Sequence, residues 1–364
     1  MIALGGVGLM GGSLGLRLKA LPSPPRVAAF GRTEKTLRRA QERGAIDSWS
    51  LDPAEAVRDA DIVVLCAPVR TIPEQMTAIA QSLKPGAIVT DVGSTKEWII
   101  AEAARRLPKG VRFVGSHPMA GSERDGIDAA DPALYEQAVV IVTPSTSSDE
   151  EALERVKELW RQVGAQPVVL PADAHDRVVA SISHMPHVAA ALLVNTVAAR
   201  AKRDSRTTDL AAGGFRDTTR IASSNPGLWR DICLTNRKAL LDALDEMHKS
   251  LAEFRIALNR NDEKAIESFF TSAKKSRDAV PPKGVGLLPS IIDLFVELAD
   301  KPGAIAEVTG VLARQDVNIA DIEIAHVRGS DDEAPLRLLF DTVNARDRAA
   351  RALTSAGYTI RMKG

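Results

Sequence analysis

Cysteine is nearly absent from this chain: two in 364 residues, Cys66 and Cys233, far apart and in apolar surroundings. That excludes a disulfide framework, leaves no metal-ligand spacing, and suits a reducing cytoplasm. Excess charge of either sign is absent too. Lysine plus arginine and aspartate plus glutamate stand at 47 each, so nothing in the balance points to nucleic acid or an anionic membrane surface. No basic segment followed by a long apolar core opens the chain, so no signal peptide is read there. The apolar stretch 188–199 is interrupted by Asn195 and is too short to span a bilayer; it reads as a buried helix of a soluble protein. Aromatics are few, at 4%, while 45% hydrophobic and 26% charged residues are ordinary for a globular chain of two or three domains.

What is present is glycine at telling places. The central stretch is Gly115-Ser116-His117-Pro118-Met119-Ala120-Gly121-Ser122-Glu123, directly after the apolar run 111–114. A histidine there falls at the carboxyl edge of a parallel sheet, where open α/β folds bind ligands. The flanking glycines permit a sharp turn and close approach of a ligand, and Pro118 is expected to end the strand ladder. His117 is read as the catalytic base.

Gly6-Val7-Gly8-Leu9-Met10-Gly11 lies between a very short apolar start, which looks clipped, and a helix beginning near Leu14. In that setting the spacing is a dinucleotide fingerprint rather than a mere flexible turn, with the pyrophosphate on the helix N-terminus. The second strand, residues 27–30, ends in Gly31-Arg32-Thr33, where an NAD site usually places an acid for the ribose hydroxyl. Gly31 leaves room for a 2′-phosphate, Arg32 can pair with it and Thr33 can donate to it, so NADP is favoured over NAD. The lesser alternative is that Arg32 only stacks on adenine or solvates a helix start. Ala67-Pro68 after the strand 61–66 is a loop over the adenosine. Ser94, in Asp91-Val92-Gly93-Ser94-Thr95-Lys96, is a helix cap, a ligand contact, or both. Ser148 to Glu151 reads as a capping box for a helix running to Gly164. Strand and helix alternate throughout 1–170, which predicts a doubly wound parallel Rossmann-type sheet.

Residues 171–280 turn to long helices. His184 and His187 share a helical face if the helix survives Pro186, which would kink it; no acid or cysteine completes a metal set nearby. Gly213-Gly214-Phe215-Arg216-Asp217-Thr218-Thr219-Arg220 is either an anion clamp gripping through Arg220 or a solvated turn, and spacing alone favours the turn. Asn225-Pro226 caps a helix predicted to run unbroken to Asn259, followed by another over 263–280. Apolar stripes on helices this long suit a homodimer. After the linker 281–286, residues 287–364 read as β-α-β-β-α-β, a ferredoxin-like unit.

Together these motifs resemble the prephenate dehydrogenase family of tyrosine biosynthesis with a C-terminal ACT domain. Gly115 to Gly121 carries most of that specificity, and Asp300-Lys301-Pro302-Gly303 with Asn318-Ile319 is similar to the ACT signature. The resemblance implies oxidative decarboxylation of prephenate, with His117 as the base and Ser94 bonded to both His117 and the substrate hydroxyl. It makes Arg220 the grip on the ring carboxylate, His184 a pocket wall, and Glu123 and Asp217 a charged pair at the entrance. It also implies tyrosine as an allosteric ligand of the ACT domain. Gly31-Arg32 departs from the acid common in the family. Arogenate dehydrogenase is the nearest alternative and an inactive amino-acid-sensing protein the most distant; a β-hydroxyacid dehydrogenase has no place for Gly115 to Ser122.

Overall fold

Short apolar runs would be ambiguous alone, but the central ones in this chain are buried on both faces, as parallel strands covered by helices must be. The computed structural model describes residues 1–121, 124–204, 206–280, 292–299, 301–319, 321–324, 333–340 and 342–361, and folds as two units, Met1–Ser272 and Ala273–Gly364. Eight strands build the sheet of the first: β1 Ile2–Gly5, β2 Val27–Phe30, β3 Ser48–Ser50, β4 Ile62–Leu65, β5 Ile88–Asp91, β6 Arg112–Pro118, β7 Val139–Pro144 and β8 Gln166–Val169. Between them lie α1 Leu9–Lys19, α2 Glu34–Glu42, α3 Pro53–Val57, α4 Ile72–Ile79, α5 Glu97–Arg106 and α6 Glu150–Gln162. The strand order is β3-β2-β1-β4-β5-β6-β7-β8, reversing beside β1 as a doubly wound fold requires. Alternate residues serve opposite cores: Leu4 and Val64 join one side with Leu14 and Trp160, Ala3 and Val63 the other with Ile72 and Met76.

Two expectations need correction here. The apolar stretch 139–143 reads from sequence as the strand that closes the sheet, but β8 lies beyond β7, and β7 runs antiparallel to β6. Nor does Pro118 end the ladder. His117 pairs with Ile141 and Pro118 with Val140, and the Met119 amide still donates to the Val139 carbonyl at 2.8 Å. An edge-facing proline nitrogen costs the ladder nothing where no acceptor is offered to it. The capping box is also displaced by one residue: Asp149, not Ser148, takes the Ala152 amide, at 2.7 Å.

The helices that follow are α7 Ala172–Val179, α8 Met185–Ala201, α9 Arg206–Asp209, α10 Gly213–Thr219, α11 Pro226–Thr235, α12 Arg237–Asn259 and α13 Glu263–Asp278. A π-helical turn, Ala180–His184, joins α7 to α8 just ahead of Pro186, which has no amide to give and would clash with the preceding turn. Residues 172–201 thus form one 30-residue helical run, long and apolar enough by length and composition to cross a membrane. Its buried Asp176 caps α5, which fixes it on the sheet. The reading of 188–199 as buried is corrected as well. Within α8 only Ala190 is buried, because the apolar residues ring the helix and leave Leu192 and Leu193 exposed on the protomer. The helix predicted from Asn225 to Asn259 is two, broken at Asn236, whose side chain turns inward instead.

In the second unit β9 Ile292–Ala299, α14 Ala304–Arg314, β10 Asp321–Ile324, β11 Glu333–Phe340, α15 Val343–Ser355 and β12 Ile360–Arg361 follow the predicted β-α-β-β-α-β order. The antiparallel sheet runs β10-β11-β9-β12, with Leu294, Val296 and Leu338 packed on Val308, Leu312 and Leu353. The linker 281–286 and Asp300 lie outside the described residues.

Candidate active site

Strand β6 changes partners midway. It pairs with β5 only through Arg112 and Phe113, then from Val114 onward with β7. A cleft therefore opens between the ends of β5 and β6, and the residues holding it open are polar and fully buried. Asp91, the last residue of β5, accepts from the Gly93 amide at 2.8 Å and the Ser116 amide at 3.2 Å. The Lys96 ammonium bridges Asp91 and the Ser116 carbonyl, the latter at 2.7 Å. Burial pushes the Asp91 carboxyl up and the Lys96 ammonium down, each opposed by the other's charge. Ser116 Oγ shares a 2.6 Å bond with Thr90 and accepts from Trp160 Nε1 at 3.1 Å, so the strand is pinned on both sides of its backbone. Gly115 serves packing more than ligand approach: a Cβ there would lie 2.3 Å from Thr143 Oγ1.

His117 stands on this pinned segment, half-buried. Its Nδ1 lies 2.8 Å from Nε2 of His175 on α7, and His175 Nδ1 lies 2.7 Å from Asp176 Oδ1. Asp176 in turn accepts the amides of Lys96 at 2.8 Å and Glu97 at 3.0 Å, capping α5 from another element. Burial first, then the charges of His175, Lys96 and His184, hold the His117 pKa well below 6.5. The ring is a neutral base at neutral pH.

At about 100° per residue, an unbroken α-helix would put positions 175 and 184 on roughly opposite faces. The π turn adds a residue and swings His184 back toward the sheet. His184 is buried, takes a 3.1 Å bond from Asn236 Nδ2, and is pushed down to about 4 chiefly by burial. That same amide donates to the Asp176 carbonyl at 2.8 Å, which is why α11 and α12 break at Asn236. Trp229 meets His184 edge-on and stacks on His187 with ring centroids 3.8 Å apart. His187, half-buried, donates from Nδ1 to the Ser183 carbonyl, and burial and the charge of Arg220 keep it neutral.

Three of the six predicted catalytic and substrate residues, His117, His184 and Arg220, lie along this line. His117 bonds to His175, His184 lies within electrostatic reach of both, and Arg220, exposed at the end of α10, lies within electrostatic reach of His187. Ser94 lies half-buried on the β5–α5 loop; it neither caps α5 nor bonds to His117, whose ring partner is His175. Asp217 is exposed on α10, one turn from Arg220, and Glu123 lies outside the described residues. His175, Asp176, Lys96, His187 and Trp229 were not singled out as site residues. The adjacent His-Asp pair and the strand-end Asp91 with Lys96 five residues on were visible, but only the tertiary fold shows that they meet.

At the other end of the cleft, Gly6 has φ +106° and would place a Cβ 2.8 Å from the Cys66 carbonyl, while a Cβ on Gly11 would meet the Gly6 carbonyl at 2.0 Å. Side chains are excluded from both. Gly8 opens on free space at the start of α1, which has no acid and no side-chain cap, so its first amides are left for an anion. These features fit a dinucleotide pyrophosphate held by Gly6, Val7, Gly8, Leu9, Met10 and Gly11. Ala67 and Pro68 follow β4 beside it, and the Cys66 amide ties that loop to the Gly5 carbonyl at 2.8 Å. Gly31, Arg32 and Thr33 follow β2, with Arg32 exposed.

A fingerprint glycine loop on a doubly wound sheet, with a neutral histidine at the sheet's opened edge, defines a nicotinamide-dependent oxidoreductase of the Rossmann class. Residues 14–169 match the nucleotide-binding domain of prephenate dehydrogenase, 171–272 its dimerization domain and 292–352 the ACT domain. The chain belongs to the prephenate dehydrogenase family. It is 35% identical over 353 residues to the prephenate dehydrogenase of Bacillus subtilis (strain 168), covering 97% of this chain and 95% of that protein. It is 36% identical over 281 residues to a cyclohexadienyl dehydrogenase of Zymomonas mobilis, covering 77% of this chain and 95% of that one. Among solved structures it resembles the Aquifex aeolicus prephenate dehydrogenase in complex with hydroxyphenyl propionate and NAD+, with TM-score 0.72 and 31% identity over 77% of this chain and 98% of that chain. Synechocystis arogenate dehydrogenase is similar at TM-score 0.68 and 29% identity, over 76% of this chain and 98% of that one.

Proposed function

We propose that this enzyme oxidatively decarboxylates prephenate to 4-hydroxyphenylpyruvate. The observation that carries the reading is His117: a half-exposed imidazole, kept neutral, on a strand end braced by four buried polar groups. Bound nicotinamide supplies the hydride acceptor. His117 takes the proton of the ring hydroxyl as hydride leaves the same carbon, which becomes a carbonyl. Loss of carbon dioxide sends its bonding pair into the ring, and the phenolate so formed recovers the proton from His117. Arg220 grips the carboxylate that departs, Ser94 bonds to the substrate hydroxyl, His184 forms the pocket wall, and Asp217 with Glu123 guards the entrance. The neighbourhood of His187 supports this role for Arg220 over a solvated turn.

NADP is the preferred cofactor in this reading. Gly31 rather than an acid directly follows β2, and among the described residues the exposed Arg32 makes no ion pair or hydrogen bond, so its guanidinium is available to a 2′-phosphate. The enzyme works as a homodimer, and tyrosine binding at the ACT domain inhibits it. Steady-state reduction of NADP and NAD, each with prephenate and with arogenate, tests the whole. Turnover with prephenate, faster with NADP, is expected; turnover with arogenate alone would change the substrate, and a preference for NAD would return Arg32 to the surface. Tyrosine, titrated into the same assay and by calorimetry into the full chain, should inhibit and bind; silence in both would remove it as the ligand.

A further inference from the structure

His117 can act as a base through one ring nitrogen only if the proton sits on the other, and the structure contains what decides this. Both oxygens of Asp176 already accept backbone amides: Oδ1 that of Lys96 at 2.8 Å, Oδ2 that of Glu97 at 3.0 Å. An amide can only donate, so Asp176 faces His175 as an acceptor. His175 Nδ1, 2.7 Å from Oδ1, must then carry the proton. A neutral His175 is left with a bare Nε2, and that atom lies 2.8 Å from His117 Nδ1. The donor in that contact is His117. Its own Nε2 is thereby left as a lone pair, with no partner among the described residues.

We propose that His175 and Asp176 are positioning residues that lock His117 in the Nδ1–H tautomer, so that Nε2 is the atom that receives the substrate's hydroxyl proton. The inference rests on the reading of His117 as base. It goes further by naming the nitrogen and the two groups that set it. When His117 takes the proton it becomes an imidazolium bonded through Nδ1–H to His175, whose Nδ1–H remains on the Asp176 carboxylate. No proton need leave the chain of three, and none is lost to solvent. His175 is fully buried and Asp176 is anchored on two amides, so the chain cannot swing aside as the charge forms. The other titratable groups around His117 are Lys96 with Asp91 on the β5–α5 side and His184 from the π turn.

The test is the 15N spectrum of the imidazoles in the full chain labelled with 15N-histidine, read together with kinetics. There are six histidines, so His117 is assignable from its loss in His117→Asn. At pH 7.5 wild-type His117 should show the Nδ1–H tautomer. His175→Asn keeps a donor near Asp176 but offers nothing to His117; it should release His117 to the Nε2–H tautomer, lower kcat ~10²-fold and raise the pKa of the acid limb, with KM little changed. His175→Gln places an amide oxygen near the former Nε2, and should restore the Nδ1–H tautomer and bring kcat within tenfold of wild type. An Nε2–H tautomer in wild type overturns the proposal, as does undiminished kcat in His175→Asn. Should His175→Asn fail to fold, the wild-type tautomer and the Gln variant still decide it. The spectra need no substrate, so an enzyme inactive on prephenate would defeat the proposed reaction without touching the tautomer result.

Discussion

A histidine becomes a useful base at neutral pH when its surroundings refuse the charged form without removing the ring from its substrate. His117 meets that condition because its backbone lies on a strand and its ring neighbours are other buried rings. Replacing it with asparagine removes the base and leaves the glycine loop untouched, so turnover should fall by at least ~10²-fold while cofactor affinity stays within about twofold. Kinetics and fluorescence titration of NADPH would show both; retained turnover would take His117 out of the role. The same burial has a consequence for stability. The pKa values of His117, His175, His184 and His187 are all lowered in the fold, His184 to about 4. Below about pH 6.5 the unfolded chain gains protons that these rings refuse, so their contribution to stability is complete above that pH and lost as pH falls toward each folded pKa. For His184 alone the window from about 6.5 to 4 is worth roughly 3 kcal/mol. Urea midpoints should fall steadily from pH 7.5 to 5, and His184→Gln should flatten part of that slope; an equal slope in the variant would contradict the assignment.

Among the elements, the junction of β5, β6 and α5 matters most. Asp91 and Lys96 brace the base of the cleft that the divergence of β6 creates, and neither can reach water. Lys96→Met should cost about 3–5 kcal/mol by stranding the Asp91 carboxylate, and Asp91→Asn in the same chain should recover a good part of it. Thermal and urea unfolding of the two variants measure this; equal stability of the single and double variants would mean the pair does not act as a unit. This junction also shows where the sequence was legible. The strand alternation and the Asn225 cap are local chemistry and lie where the spacing predicted, whereas α1 starts at Leu9, within the glycine loop and five residues before the predicted Leu14, because Gly8 already serves as its N-cap. The splaying of β6 is not local: it depends on β7 returning antiparallel, which the β-rich stretch 139–144 does not announce. The π turn escaped for a similar reason. Pro186 signalled a disturbance, but whether the helix kinks or widens depends on what Asp176 and His184 find on the sheet and at Asn236. His175 and Asp176, adjacent in sequence and unremarkable there, acquired a role only when α7 was seen against α5 and β6.

For the molecule as a whole, the helical half is unfinished as a monomer. Leu192 is 53% exposed, Leu251 56% and Ile256 50%, on helices whose stripes would ordinarily be covered. A buried leucine contributes roughly 1.5–3 kcal/mol relative to an exposed one, so several of them across an interface suffice for a stable pair. Residues 171–272, which carry these helices, match the dimerization domain of prephenate dehydrogenase. Trp229, His187 and Arg220 belong to this helical half, while His117 and the glycine loop belong to the sheet. A subunit contact that steadies α8 and α11 would therefore steady one wall of the site. Sedimentation of the wild type should give twice 39.0 kDa at micromolar concentration. Leu192→Glu with Leu251→Glu should give the single mass, and KM for the substrate should rise more than KM for the cofactor, because the glycine loop lies on the other half. A wild type that sediments as a monomer would rule out the dimer, and a dissociated variant with unchanged KM values would show that each protomer's site is complete by itself.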